Sequence, residues 1–171
     1  MLTALKATLT LLDPFDACIW AMVSCAFFSM MRFDEVSVPS RKTFNLTKHL
    51  TRAHAFFGRN LRNSPYARLD LPSAKTAQAS ESQSIFLNEQ GDLCPIAALH
   101  NLARVVPALA DDPLFSWHDA KGDIRPMSKV RALEHINLVL IAWGWGTSFG
   151  HSFQIGSASF YLAKKVDPEI V

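Results

Sequence analysis

Residues 150–171, GHSFQIGSASFYLAKKVDPEIV, decide how this chain is read. Gly150 can take the strained backbone of a turn. A helix from about His151 to Lys165 places His151, Gln154, Ile155 and Ala158 on one face, so the imidazole and the amide point the same way. Phe153, Phe160 and Leu162 are expected to anchor that helix in a core. Asp167 before Pro168 reads as an N-cap and the first residue of another helix, because proline has no N–H to leave unpaired there and its φ is already helical.

Upstream, the punctuation is mostly helical. Leu2 to Leu12 carries apolar residues at helical spacing. Asp13, Pro14 and Asp16 then start a helix expected to run to about Met31. That helix is apolar nearly all round, which belongs at the centre of a domain, with Cys18, Trp20, Met22 and Phe27 in the core. Tyr66 to Leu71 alternates and Ser82 to Leu87 is again β-compatible, with polar residues between, the pattern of a β-hairpin with a long tip. Pro95 starts a helix to about Val106 with Ile96, Leu99, Leu102 and Val106 inward. Ser128 caps another to about Trp143, with Leu133, Ile136, Leu140 and Trp143 on its inner face. The expected fold is mainly α with a small β-hairpin or sheet (α+β).

A chain of 171 residues, 49% hydrophobic, is expected to form one domain, 1–171, with a substantial core. The longest apolar run, Ala17 to Met31, has fifteen residues, short of the ~20 that cross a bilayer. It follows acids rather than a basic segment, so no signal peptide or membrane contact is expected, and the location is nuclear or cytoplasmic. Cys18 and Cys25 project from one rod and cannot reach disulfide geometry, which favours reduced thiols. There is no glycine-rich phosphate loop, paired-cysteine motif or repeat. His100, His118, His135 and His151 are too scattered to propose a metal site.

Net charge is only +2, but its distribution is uneven. Between Arg41 and Thr76 eight basic residues, Arg41, Lys42, Lys48, Arg52, Arg59, Arg62, Arg68 and Lys75, stand against one acid, Asp70. His49 and His54 lie in the same block. A phosphate-backbone contact surface requires such a block. A solvated basic face produces the same count.

Three stretches in this order resemble the tyrosine recombinases, the phage integrases and their relatives. The first is SMMRFDE, where Arg32 and Glu35 match the family's G-x-R-x-x-E after an apolar helix and Met30 stands in place of the glycine. The second is LDLPSAKTAQ, where Lys75, forty-three residues after Arg32, matches the lysine of the family's β-hairpin. The third is Gly150-His151-Ser-Phe-Gln154, similar to G-H-x-x-R with Gln154 in place of the second arginine. The resemblance implies an integrase-like catalytic core that is incomplete at its C-terminus.

By that resemblance, two arginines and a histidine hold the scissile phosphate, a lysine protonates the departing 5′ oxygen, and a tyrosine attacks. No metal or nucleotide cofactor is implied. The implied partner is double-stranded DNA, bound as a homo-oligomer or beside an intact recombinase. Arg32 would present a planar fork of donors to two phosphate oxygens; read alone, it is a residue at a helix end facing the dipole or pairing with Asp34. Lys75 would be the general acid; alone, it is a solvated lysine in a polar loop. His151 would be a hydrogen-bond partner or acid/base group. Gln154 is neutral, and losing one well-placed donor to a charged transition state costs on the order of 3 kcal/mol, or 10²–10³ in rate. Neither Tyr66 nor Tyr161 occupies the nucleophile's position, so the chain is expected not to complete strand cleavage. Three functional classes follow: a degenerate recombinase catalytic domain of mobile-element origin, a module that kept DNA binding through the Arg41–Lys75 block, and a helical protein-interaction domain on an inherited scaffold.

Overall fold

In the computed structural model, which describes residues 1–72, 83–147, 152–167 and 169, Asp13 starts the helix on which the others pack. Its carboxylate accepts the N–H groups of Phe15 at 2.9 Å and Asp16 at 3.0 Å, and Pro14 takes the first helical position of α2, Pro14–Phe28. Every residue from Ala17 to Phe28 is buried, including Cys18, Trp20, Met22 and Phe27. α1 (Leu2–Thr8) precedes it. At roughly 1.5–3 kcal/mol for each large apolar side chain taken out of water, α2 is the main source of core stabilisation.

α2 ends three residues before the expected Met31, because Met30 turns left-handed with φ +55. Met31 N–H bonds the Ala26 carbonyl at 3.1 Å and Met30 N–H that of Phe27 at 3.4 Å. This is the helix end that glycine usually supplies. α3 (Phe33–Val36) follows at once.

The expected hairpin is present as β2 (Pro65–Leu71) and β3 (Gln83–Asn88), but β1 (Ala55–Arg59) joins it to make an antiparallel sheet of order β1-β2-β3. Ala-Phe-Phe-Gly-Arg does not alternate, so nothing in its pattern marked it as a strand. Ala67, Leu69 and Leu71 face the core, while Tyr66, Arg68 and Asp70 face outward. Arg68 lies opposite both Phe56 and Phe86. A one-residue slip would turn the buried set out to water. Gly58 is fixed in kind, since a Cβ there would meet the Tyr66 ring at 2.8 Å.

α4 (Pro95–Val105) packs on α2 and buries Ile96, Leu99 and Leu102. A second, unexpected hairpin joins β4 (Ser116–His118) to β5 (Ile124–Pro126). Strands of three residues are too short to show a period. Asp119 holds their turn, accepting the N–H groups of Lys121 at 2.9 Å and Asp123 at 3.0 Å and Arg125 Nε at 2.6 Å. The Arg125 bond holds its carboxyl below the usual range.

Ser128 caps α5 (Lys129–Ala142), its hydroxyl accepting the Arg131 N–H at 3.4 Å. Ile136 and Leu140 are buried and Leu133 is half-buried, but Trp143 is 51% exposed. The helix stops at Ala142, so Trp143 leaves the periodic face, and its Nε1 donates to Thr8 Oγ1 at 2.9 Å. α6 (Ser152–Ala163) packs on α2, where Phe160 meets Phe27 and Phe28, and buries Phe153 and Ser157. Leu162 is exposed rather than a core anchor. At about 100° per residue it lies half a turn away from Phe153.

The fold is therefore mainly α with two small antiparallel sheets, the expected α+β class. Cys18, Cys25 and Cys94 are free and buried, and burial pushes the Cys18 and Cys25 thiols well above their ordinary range. No helix among the described residues is long and apolar enough to cross a membrane.

Candidate functional site

Arg32 is the N-cap of α3, with extended backbone at φ −69 and ψ 145. Glu35 Oε2 accepts the Arg32 N–H at 2.7 Å. In this R-x-x-E pair the glutamate fixes the backbone of the arginine. Phe33, next along, is 1% exposed and pins α3 from the inside. The Arg32 side chain is consequently directed outward. Asp34 is not its partner, being 2.8 Å from Lys129 Nζ, so the reading of Arg32 as half of an Asp34 ion pair is set aside. Among the described residues Arg32 forms no ion pair within 4 Å.

Arg32 lines a cavity of about 110 Å³. Asp34, Glu35, Lys48, Leu50, Leu71 and Pro72 line it with Arg32. Leu71 ends β2. Pro72, the last described residue before the segment that carries Lys75, lines the cavity; Lys75 itself lies outside the described residues, as do His151 and Pro168. Gln154 is half-buried on α6 and is not among the residues lining the cavity. Its neighbour Phe153 is 1% exposed and stacks on Phe33, with ring centroids 5.4 Å apart.

Lys48 is held by a small turn. The Asn45 carbonyl accepts the N–H groups of Lys48 at 3.1 Å and His49 at 2.9 Å. Asn45 N–H donates to His49 Nδ1 at 2.9 Å, and Asn45 Oδ1 accepts Thr47 N–H at 2.8 Å. Burial holds the His49 pKa below its ordinary value. Leu50 is buried and its carbonyl accepts the Leu114 N–H at 2.9 Å, so the turn is tied to the core on its far side.

The rest of the basic block divides. Arg41, Lys42, Arg59 and Arg62 are exposed. Arg41 lies 3.7 Å from Asp119, and Arg59 donates to the Asn63 carbonyl at 2.7 Å. Arg52 is turned inward, donating from Nε to the Pro113 carbonyl at 3.3 Å and from Nη2 to Ser116 Oγ at 3.1 Å; burial lowers its pKa. Arg68 sits 3.0 Å from Asp70 and 4.4 Å from the centre of the Phe56 ring. A count of charges along the chain cannot separate these two groups. Nor does the sequence signal that Lys48 and Arg32 share a cavity, since the loop between them is irregular.

The tyrosines are engaged elsewhere. Tyr161 Oη donates to the Phe28 carbonyl at 2.9 Å, and burial raises its pKa. The Tyr66 ring covers Gly58. His135 Nε2 lies 2.9 Å from Asp16, and His100 stacks on Phe57 at 4.3 Å. No three His, Cys, Asp or Glu side chains are grouped to hold a metal ion among the described residues.

No protein-family model matches the chain, and no curated protein matches it in sequence. Among solved structures it is similar to FLP recombinase in a Holliday-junction complex, with a TM-score of 0.59 and 14% identity over 99% of this chain. The chain spans 40% of that protein's chain. At this identity the likeness is one of fold.

Proposed function

We propose that this chain is a DNA-binding, recombinase-like catalytic domain in which the Arg32 cavity receives one backbone phosphate of duplex DNA. The observation that carries this reading is the cavity itself: an exposed arginine that forms no ion pair among the described residues shares it with Leu71 and Pro72 at the end of β2. The fold's similarity to FLP recombinase supports it. A cavity of about 110 Å³ is several times the roughly 30 Å³ share of one water. It is well under the ~300 Å³ at which small-molecule pockets begin. One tetrahedral oxyanion is the occupant of suitable size.

On this reading Arg32 is the phosphate clamp, Lys75 the general acid, and His151 a hydrogen-bond or acid/base partner. Arg41, Lys42, Arg59 and Arg62 are the exposed residues of the basic block that meet further phosphates. Gln154 leaves the second clamp without charge, so phosphate is held more readily than it is activated. The chain then acts in DNA recombination and integration as a catalytically defective relative of mobile-element recombinases. It works on DNA in the nucleus or cytoplasm, as a homo-oligomer or beside an intact recombinase. No metal or nucleotide enters, because phosphotyrosine chemistry of this type conserves the energy of the broken bond.

The test is fluorescence anisotropy on a duplex of ~20 base pairs from ~50 to ~200 mM salt. The logarithm of affinity is expected to fall linearly with the logarithm of salt concentration, with a slope near −0.9 per phosphate contacted. No binding at ~50 mM, or binding indifferent to salt, removes the proposal.

A further inference from the structure

We infer that Lys48 is the second cation of the Arg32 phosphate site, placing its ammonium on the same phosphate. This rests on the DNA-binding reading above. Both Arg32 and Lys48 line the cavity, and neither forms an ion pair among the described residues. Neither lining acid forms an ion pair with them. Lys129 offsets Asp34 at 2.8 Å, and Glu35 Oε2 is taken by the Arg32 N–H. Among the described residues, two cations without an ion pair therefore line one small space, with Glu35 as the one lining carboxylate not offset by a lysine.

An exposed lysine is ordinarily a solvated one. Lys48 differs in how its base is fixed. Its backbone lies within the Asn45–His49 turn, two residues before buried Leu50, so only the side chain has to be ordered on binding. A guanidinium fork and a compact ammonium are complementary here: the first grips two oxygens in plane, and the second can approach a third from another direction. Gln154 does not line this space, so an amide in place of an arginine there does not alter the cavity's own charge.

Anisotropy titration with the same duplex compares wild type, Arg32→Gln, Lys48→Gln, Lys48→Arg, the double variant and Lys121→Gln. Lys121 is an exposed lysine in the β4–β5 turn and reports the loss of charge alone. Lys48→Gln is expected to weaken binding three- to tenfold and to reduce the salt slope by about 1. Lys48→Arg should keep most of the affinity, Lys121→Gln should change it less than twofold, and the double variant should lose less than the product of the single losses, since both groups hold one phosphate. If wild type binds and Lys48→Gln stays within twofold of it, or matches Lys121→Gln, the assignment of Lys48 is overturned while DNA binding stands. Multiplying losses in the double variant would also overturn it, by placing the two cations on separate phosphates. If wild type itself fails to bind at ~50 mM salt, both readings fall together.

Discussion

The ring of Phe33 stacks on that of Phe153, centroids 5.4 Å apart and planes 23° from parallel. Phe33 follows Arg32, and Phe153 precedes Gln154. This contact joins the start of α6 to the cap that aims the arginine, across most of the chain's length. Phe153→Ala should therefore destabilise the protein by ~3–5 kcal/mol through lost transfer energy and a cavity. Phe153→Leu fills more of the site and should lose chiefly the ring stack, about 0.5–1.5 kcal/mol. Urea unfolding of both variants measures this, and two equal, small losses would show that α6 does not depend on the contact.

Met30 holds φ +55 at the end of α2, where a side chain with a Cβ is strained by roughly 1–2 kcal/mol. The resembling motif has glycine at this position. Met30→Gly should raise stability by up to about 1 kcal/mol, since part of the relief is spent on the greater freedom of glycine in the unfolded chain. A lower urea midpoint for Met30→Gly would mean that packing of the methionine side chain outweighs its backbone strain.

The helices were legible because their signals are local and redundant. Asp13-Pro14-Phe-Asp16 announced α2 before any packing was known, and its acceptor bonds to Phe15 and Asp16 are those expected of an N-cap. The long alternation of Tyr66 to Leu71 marked β2 for the same reason. What could not be read is what depends on partners. β1 is a strand because β2 offers it an edge, with Phe56 opposite Arg68. Leu162 and Trp143 look apolar enough for a core and face out because their helices end or rotate away. In the site, Arg32 was visible through its motif, whereas Lys48 was only one charge in a block. Its place in the lining it shares with Arg32 follows the Asn45 turn and the Leu50–Leu114 backbone bond, neither of which carries a sequence pattern.

His49 makes the turn under Lys48 sensitive to pH. Burial lowers its pKa from the ordinary value, and Nδ1 serves as an acceptor for the Asn45 N–H, a role that protonation at that nitrogen ends. The folded pKa lies below the unfolded one, so the unfolded chain takes up its proton first. The stabilisation is therefore fully present above about pH 6.5 and is lost as pH falls through the folded pKa. Imidazole resonances followed by NMR should give His49 a midpoint below 6.5, with the Asn45 amide shifting in step. A midpoint at or above that of an unfolded-peptide histidine would show that the bond does not hold the neutral ring.

Tyr161 sits on α6 ten residues past His151 and is the tyrosine to suspect if these 171 residues cleave DNA. Its hydroxyl is committed to the Phe28 carbonyl at 2.9 Å, and burial raises its pKa. Both effects oppose a nucleophilic phenolate, because the proton is committed to a carbonyl and the hydroxyl is harder to ionise. Tyr161→Phe should cost about 0.5–1.5 kcal/mol for the lost hydrogen bond and leave duplex binding unchanged. A suicide duplex, nicked so that cleavage traps a 3′-phosphotyrosine, should give no covalent adduct with wild type. Gln154→Arg should give none either, because restoring a clamp does not provide an attacking oxygen. An adduct seen by denaturing electrophoresis and abolished by Tyr161→Phe would refute this, and would require α6 to release the Phe28 carbonyl before the hydroxyl could reach a phosphate.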